Sequence, residues 1–349
     1  MKWMHKAVWL LFLGAILMAS SACSVKRESK GDFDEIIVFA DSLNKDDFVN
    51  ALESHFSKTI MMPSLEREYA LKWQPIRDLK FLQYRRTLFF LATLDSDGPV
   101  SKQVRSILSE DVIKGIKSGE YFYIPQVEPW AKDQYVVYMV APTRDEMIQR
   151  IYDLGELVYD DFEKSYYQRL KDFIFAKGEQ TKIEEYLLRH FPFTMRVQHD
   201  YEVVDESLDE GYVWLRRFFP DRSMLVRWTP YADSIKINYD WIVQQRNRLA
   251  AKIYEGDVVV EDETGWEQVR FSRWPAIRVE GTWKNPTHMI GGPFRSTTFV
   301  DKRSNLIFTI DFYVQAIGQR KKPYLDQLDV MAHTFRSKSY ISEEAQSGL

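Results

Sequence analysis

Residues 306–316 read LIFTIDFYVQA, and the alternation in this stretch indicates the class of fold. The apolar members are Phe308, Ile310, Phe312, Val314 and Ala316, and the residues between them are Thr309, Asp311, Tyr313 and Gln315. Successive side chains of a β-strand point to opposite faces of the sheet. One apolar and one polar face are typical of an antiparallel sheet that buries a single face. The stretch therefore predicts a half-buried strand in such a sheet.

Helices and further strands are predicted on the N-terminal side of this strand. The first part of the chain carries apolar runs that predict strands at residues 35–40, 87–93, 121–124 and 134–141. A capping box, Thr143 with Glu146, begins a long stripe of apolar residues at helical spacing. We expect an α+β fold of antiparallel sheets flanked by helices, in two packed halves at 35–178 and 181–338, followed by a tail over 339–349.

The composition is that of a folded protein, with 349 residues, 45% of them hydrophobic, and a formal net charge of -4. A chain without basic excess lacks the electrostatic footprint of a nucleic-acid-binding protein, so no such partner is expected. The chain contains no G-x-G-x-x-G, P-loop, H-E-x-x-H, G-x-S-x-G or C-x-x-C motif. His190, His199 and Asp200 do not have metal-ligand spacing. We therefore expect neither a cofactor nor a metal.

The N-terminus predicts export and lipid anchoring. Residues 1–22 combine a basic start at Lys2 and Lys6, an apolar run and a stretch of small residues, which is the architecture of a secretory signal. The run is shorter than the roughly 20 apolar residues of a membrane-spanning helix. Cys23, the single cysteine, follows directly and resembles the acylation site of bacterial lipoproteins. We expect an acylated Cys23 in a lipid bilayer, with residues 23–34 as a polar tether.

A segment rich in Gly, Pro and aromatic residues, at 279–299, is a candidate binding loop. Its candidate residues are Trp283, Asn285, His288, Gly291, Gly292, Pro293 and Phe294. Gly-Gly-Pro permits a backbone path that other residues disfavour and then restricts it. These residues either form a surface for a ligand or partner, or the tryptophan packs in the core and the glycines make a tight hairpin.

Arginines near two tryptophans form a candidate anion patch on adjacent predicted strands. Arg216, Arg217 and Arg227 lie close in sequence to Trp214 and Trp228. Guanidinium groups bind carboxylates and phosphates through paired hydrogen bonds. Charged residues on the solvated face of a strand explain the same pattern.

Three motifs resemble those of a family of lipoproteins from the Bacteroidetes, the domain of unknown function family 4837. They are EIIVFADS at 35–42, AKDQYVVYMVAP at 131–142, and a G-x-W at 281–283 followed by MIGGPF at 289–294. The resemblance extends over nearly all of the chain after Cys23. It implies an anchored envelope protein and supplies no catalytic residues.

We expect a lipoprotein on the periplasmic face of the outer membrane that binds an envelope protein or a cell-wall component. The basic segment SVKRESK after the cysteine favours the inward-facing side of that membrane. The alternative is a glycan hydrolase that uses two carboxylates, with Asp311 near Trp266, Trp274 and Trp283 as the starting point. Whether these tryptophans line a cleft or fill a core separates the two hypotheses.

Overall fold

The N-terminal half is built around a five-stranded sheet. The computed structural model of the chain describes residues 26–42, 44–62 and 64–341. The elements of this half are β1 (Glu35–Ala40), α1 (Lys45–Phe56), β2 (Thr59–Met61), β3 (Leu65–Arg67), β4 (Ala70–Gln74), α2 (Leu79–Leu82), β5 (Thr87–Thr93), α3 (Pro99–Ile107), α4 (Glu110–Ser118), β6 (Tyr123–Val127), β7 (Tyr135–Ala141) and α5 (Arg144–Ala176). A short 3-10 helix, Ile76–Asp78, precedes α2.

Most strands of this sheet run parallel, which corrects the expectation of antiparallel pairing in this half. The order is β4-β1-β5-β7-β6, with β1 parallel to β4 and β5, and β5 parallel to β7. Parallel strands need a crossover connection, and α1 and the pair α3–α4 lie in those crossovers. The β6–β7 pair is antiparallel.

The C-terminal half contains a seven-stranded antiparallel sheet in the order β12-β13-β14-β15-β11-β10-β9. Its elements are α6 (Thr181–His190), β8 (Phe193–Thr194), β9 (Glu202–Ser207), β10 (Tyr212–Arg217), β11 (Asp221–Pro230), α7 (Tyr239–Ile253), β12 (Val258–Phe271), β13 (Trp274–Asn285), β14 (Ile290–Asp301), β15 (Leu306–Gln315), α8 (Lys322–Ala332) and β16 (Arg336–Ser337). The α+β class is confirmed.

Strand β15 is buried on both faces, although its alternation predicted one. Phe308, Ile310 and Phe312 point into the main core, which also includes residues of α8. Tyr313 points the other way, into a second core beneath α7, and Asp311 lies on that same face. A helix on each face of the sheet therefore hides the polar side of the strand as well.

The two halves share the main core. Helix α5 runs for 33 residues from the cap at Thr143, whose hydroxyl accepts a hydrogen bond from the Glu146 backbone as the capping box predicted. Side chains of α5, α8 and both sheets meet in that core. The two sheets differ in strand direction and order, so the halves are not copies of one arrangement. Within the described residues, the helices lack an apolar stretch long enough to cross a membrane.

The part of the expected tether that the structure describes, residues 26–34, lies against the folded domain. The Lys30 amide donates to the Tyr84 carbonyl at 2.8 Å, and the Ser29 amide donates to the Lys132 carbonyl at 3.1 Å. These contacts hold the segment along the edge of the sheet where β1, β5 and β7 begin. The predicted acylation site, Cys23, lies outside the described residues.

Candidate functional site

The predicted binding loop forms the β13–β14 hairpin, and its aromatic residues are buried. Trp283 is 1% exposed, and its ring centroid lies 5.0 Å from that of Tyr313. Phe294 is also 1% exposed, and the Arg246 guanidinium lies 4.1 Å from its ring centroid. A surface ligand at this hairpin would contact His288 and the exposed Met289 rather than these two rings.

Asn285 shapes the turn of the hairpin. Its Oδ1 accepts from the backbone amides of Thr287 and His288, both at 2.9 Å. Its Nδ2 donates to Asp257 Oδ1 at 2.8 Å. Because all of these partners belong to the protein, the Asn285 side chain is committed to the turn.

The glycines of this segment allow neighbouring strands to approach. A Cβ on Gly292 would lie 1.8 Å from the Val314 carbonyl oxygen of β15, and a Cβ on Gly291 would lie 2.7 Å from the Trp283 carbonyl oxygen. Pro293 is buried and pairs with Thr282 in the ladder. The Gly-Gly-Pro sequence thus serves packing of the sheet.

The candidate anion patch divides between two faces of the sheet. Arg216 makes a two-point ion pair with Asp221, at 2.8 and 2.6 Å. Arg217, next along the strand, faces the other way and lies 3.5 Å from Asp200. Arg227 donates to the side-chain oxygen of Gln245 at 3.0 Å, and burial lowers the pKa of Arg227. The three guanidinium groups do not converge on one site.

Asp311 is also unavailable to a surface ligand. It is 3% exposed and accepts a 3.0 Å hydrogen bond from Arg246 Nε under α7. Trp274 is 5% exposed, within the main core, whereas Trp266 on the edge strand β12 is 55% exposed. Two of the three tryptophans of the hydrolase hypothesis therefore fill cores.

A large cleft lies where the two halves meet, with a volume of about 1140 Å³. The outer side of α5 from Glu163 to Lys171 lines one part of it, and the β12–β13 ladder with Trp266 at its rim lines another. Helix α8 contributes a third group of residues, since it contacts both α5 and the sheet. Because both halves supply walls, the cleft depends on their packing.

Two carboxylates share one hydroxyl at the N-terminal side of this cleft. The Tyr159 hydroxyl lies 2.7 Å from Glu68 Oε1 and 2.9 Å from Glu163 Oε1, and the Tyr69 hydroxyl donates to Glu163 Oε1 at 3.3 Å. Burial raises the pKa of Glu163, the hydrogen bond from Tyr159 opposes this shift, and the charge of Glu68 adds to it. Glu68 Oε2 is buried without a hydrogen-bond partner. Among the described residues, neither carboxylate has a cation within salt-bridge distance.

The charged side chains that α8 and Arg295 of β14 contribute to the cleft pair with one another. Lys322 donates to Asp326 at 2.6 Å, and both side chains are buried. Arg295 donates to Asp329 at 2.7 Å, and His333 Nδ1 lies 3.4 Å from Asp329 Oδ2. Burial alone would raise the pKa of Asp329, but the charge of Arg295 together with the hydrogen bond and charge of His333 outweighs burial, so the pKa is lowered. Glu68 and Glu163 therefore differ from Asp326 and Asp329, each of which has a cationic partner.

Sequence reasoning did not find this carboxylate pair. Glu163 follows Tyr159 by one helical turn on α5, where it has the pattern of an ordinary partly solvated helix position. Glu68 lies 95 residues earlier, between β3 and β4. Nothing in the local sequence links the two. Within the described residues, no group of three or more His, Cys, Asp or Glu is placed to hold a metal.

Solved structures similar to parts of the chain have low sequence identity to it. The Ran-binding protein Mog1p of Saccharomyces cerevisiae is 11% identical, over 42% of this chain and 90% of that one, with a TM-score of 0.29. LpqN of Mycobacterium tuberculosis, described as involved in cell envelope biogenesis, is 12% identical over 41% of this chain and 81% of that one, with a TM-score of 0.28. A protein of Bacteroides thetaiotaomicron is 13% identical over 42% and 45%, with a TM-score of 0.25.

Family models match both halves. No curated protein matches the chain significantly. Residues 29–174 match DUF8532, a domain of unknown function. Residues 180–334 match DUF4837, so the resemblance is confirmed for the segment with G-x-W and MIGGPF but does not extend over nearly all of the chain, because the motifs at 35–42 and 131–142 lie in the DUF8532 match. The C-terminal half of this chain is thus similar to the DUF4837 family of domains of unknown function.

Proposed function

We propose that the protein is a lipid-anchored component of the cell envelope that binds a cell-wall component in the cleft between its halves. Acylated Cys23 would hold it at the periplasmic face of the outer membrane, following the signal architecture of residues 1–22. The observation that carries the binding role is the pair Glu68 and Glu163, which faces the cleft, shares one hydroxyl and, within the part of the chain that the structure describes, has no cation at salt-bridge distance.

The chemistry of the pair favours a ligand with an amine and several hydroxyl groups. A carboxylate that is partly desolvated and next to a second carboxylate gains from an ammonium group or from hydrogen-bond donors. Lys171, which also lines the cleft, offers a positive charge to a carboxylate of the same ligand. Cell-wall glycopeptides carry amines, carboxylates and sugar hydroxyls together, and the cleft is large enough for a fragment of one.

Binding of soluble muropeptides to the purified chain, measured by calorimetry, tests this proposal. We expect Glu163→Gln and Glu68→Gln to weaken binding by roughly tenfold each, which corresponds to about 1.4 kcal/mol. The control is Glu156→Gln, an exposed glutamate of α5 that does not line the cleft. Recovery of an envelope protein in crosslinking from intact cells, with no muropeptide binding, would overturn the ligand class.

Glycan hydrolysis is a second candidate function, now at Glu68 and Glu163 rather than at Asp311. Both Oε1 atoms lie within hydrogen-bond distance of the Tyr159 hydroxyl, and retaining glycosidases likewise hold two carboxyl groups close together, at about 5 to 5.5 Å. A raised pKa suits Glu163 to the role of acid that protonates the leaving oxygen, with Glu68 as nucleophile. Release of reducing ends from peptidoglycan, lost in both Gln variants, would establish this activity.

A further inference from the structure

A very short connection joins the predicted anchor to the folded domain. Lys26, the first described residue, is three residues after Cys23. Its Nζ donates to the Glu128 carbonyl at 2.6 Å, and the next residue, Arg27, accepts a backbone hydrogen bond from Lys132 at 2.9 Å. Three fully extended residues span at most about 11 Å. If Cys23 lies at a bilayer surface, Lys26 and its neighbours lie close to that surface.

Two exposed apolar side chains flank the point where the chain leaves the domain. Phe81 is 74% exposed and Val127 is 71% exposed. Val127 precedes the residue whose carbonyl binds Lys26, and Arg27 lies 4.7 Å from the ring centroid of Tyr84, three residues after Phe81. Both apolar residues therefore belong to the sheet edge that holds Lys26.

Basic side chains surround these apolar residues. Lys80 Nζ lies 4.8 Å from the Phe81 ring centroid. Lys132 adds a further ammonium group, although Glu28 lies 3.6 Å from it and offsets part of the charge. Long basic side chains next to an apolar ring suit a membrane interface, because the ring enters the acyl boundary while the ammonium reaches the phosphates.

We propose that this edge, made of Lys26, Lys80, Phe81, Val127 and Lys132, docks on the lipid bilayer that holds the acyl chains of Cys23. The inference rests on the anchor in the proposed function and adds a fixed orientation to it. The length of the connection supports the bilayer as the occupant, since the anchor cannot move far from this edge. Glu68 lies two residues before β4, which begins at the same edge, so the acidic part of the cleft would lie near the membrane.

Single-cysteine labelling tests the orientation in the full, acylated chain. Cys23 is the single cysteine, and its thiol is blocked by acylation, so an introduced cysteine can be labelled alone. Spin labels are placed in Phe81→Cys, Val127→Cys and the control Asp97→Cys. Asp97 is 94% exposed and lies after β5, at the opposite edge of the sheet. All three positions are exposed, so the substitutions leave the core intact.

The chain is measured in vesicles of phosphatidylethanolamine and phosphatidylglycerol and compared with its unlipidated form in detergent-free solution. We expect the collision rate of a water-soluble relaxation agent with the labels at 81 and 127 to fall by roughly threefold or more on membrane binding, and the rate at 97 to stay the same. If the chain binds the membrane but all three labels are equally accessible, the proposed orientation is wrong, whereas the lipid anchor is still supported. Protection of a label in Phe219→Cys, a 95% exposed residue of the other half, without protection at 81 and 127 would also overturn it. If the chain stays in the soluble fraction, both the lipid anchor and the proposed orientation are wrong.

Discussion

Tyr166 on α5 donates a hydrogen bond of 2.5 Å to Asp326 on α8, and both side chains are buried. The bond joins the N-terminal half to the C-terminal half at the base of the cleft. Lys322 also donates to Asp326, at 2.6 Å. This small polar network aligns α5 with α8 inside a core that is otherwise largely apolar. The geometry of the cleft therefore depends on it.

Tyr166→Phe should lower the free energy of unfolding by about 2 kcal/mol, because a buried carboxylate loses one of its two donors. Chemical denaturation measures the change. The control is Tyr152→Phe on the same helix, where the side chain is 52% exposed and a change below about 0.5 kcal/mol is expected. Equal small effects for both variants would show that the Tyr166 hydroxyl does not stabilise the packing of the halves.

The buried pair Arg246 and Asp311 offers a second prediction. Asp311→Asn should cost about 3 to 5 kcal/mol of stability, because it leaves the Arg246 charge buried without its counterion. Arg246→Met combined with Asp311→Asn should cost less than the sum of the two single changes, since no unpaired charge remains. Denaturation of the four chains measures this coupling, and additive effects would contradict it.

Local sequence patterns predicted elements well but not their surroundings. The alternation in β15 identified the strand, but α7 covers its second face and turns Asp311 into a buried ion-pair partner. That partner, Arg246, lies 65 residues away in sequence. Apolar runs likewise predicted β5 and β7, whereas the parallel direction depends on helices between them. The alternation of apolar and polar residues along a strand does not indicate whether a helix covers the second face of the sheet, nor whether neighbouring strands run parallel or antiparallel.

The same reason explains why the candidate site moved from the Gly-Gly-Pro hairpin to the cleft. The hairpin is conspicuous in sequence because its glycines meet strict packing needs, such as the approach of Gly292 to Val314. Glu68 and Glu163 are inconspicuous, because each alone is an ordinary charged residue. Their shared contact with Tyr159 arises only when α5 packs against the segment before β4.

Gly292→Ala should destabilise the fold by about 3 kcal/mol, because the new Cβ would overlap the Val314 carbonyl and push β14 away from β15. Gly265→Ala on β12 is the matched control, since nothing lies within 4 Å of its Cβ position. Thermal unfolding of both variants makes the comparison. Similar melting temperatures would show that the strand spacing adjusts at no cost.

His333 should make stability depend on pH. Burial alone would lower the pKa of its imidazole, but the hydrogen bond and charge of Asp329 outweigh burial, so the pKa is raised above 6.5. Because the pKa of His333 is higher in the folded state, protonated His333 stabilises the fold, and this contribution to the free energy of unfolding is fully present below the unfolded-state pKa of about 6.5. That contribution is lost as the pH rises through the folded pKa.

Asp329→Asn should therefore lower the His333 pKa, as followed by the ring proton shifts in NMR spectra. His333→Gln should flatten the fall in stability as the pH rises above about 6.5, whereas His190→Gln, at the exposed end of α6, should not. A pKa of His333 that stays the same in Asp329→Asn would contradict the assigned cause.

Cys23→Ala tests the anchor itself. Loss of the thiol removes the predicted acylation site, so we expect the chain to appear in the soluble fraction or to keep the predicted signal segment and have a higher mass. Fractionation of cells with intact-mass measurement distinguishes both outcomes from an acylated chain. Ser24→Ala, which changes the next residue and keeps the thiol, is the control and should remain membrane-bound. Since one acyl chain alone binds a membrane only marginally, stable retention of the control also requires more than one chain on Cys23.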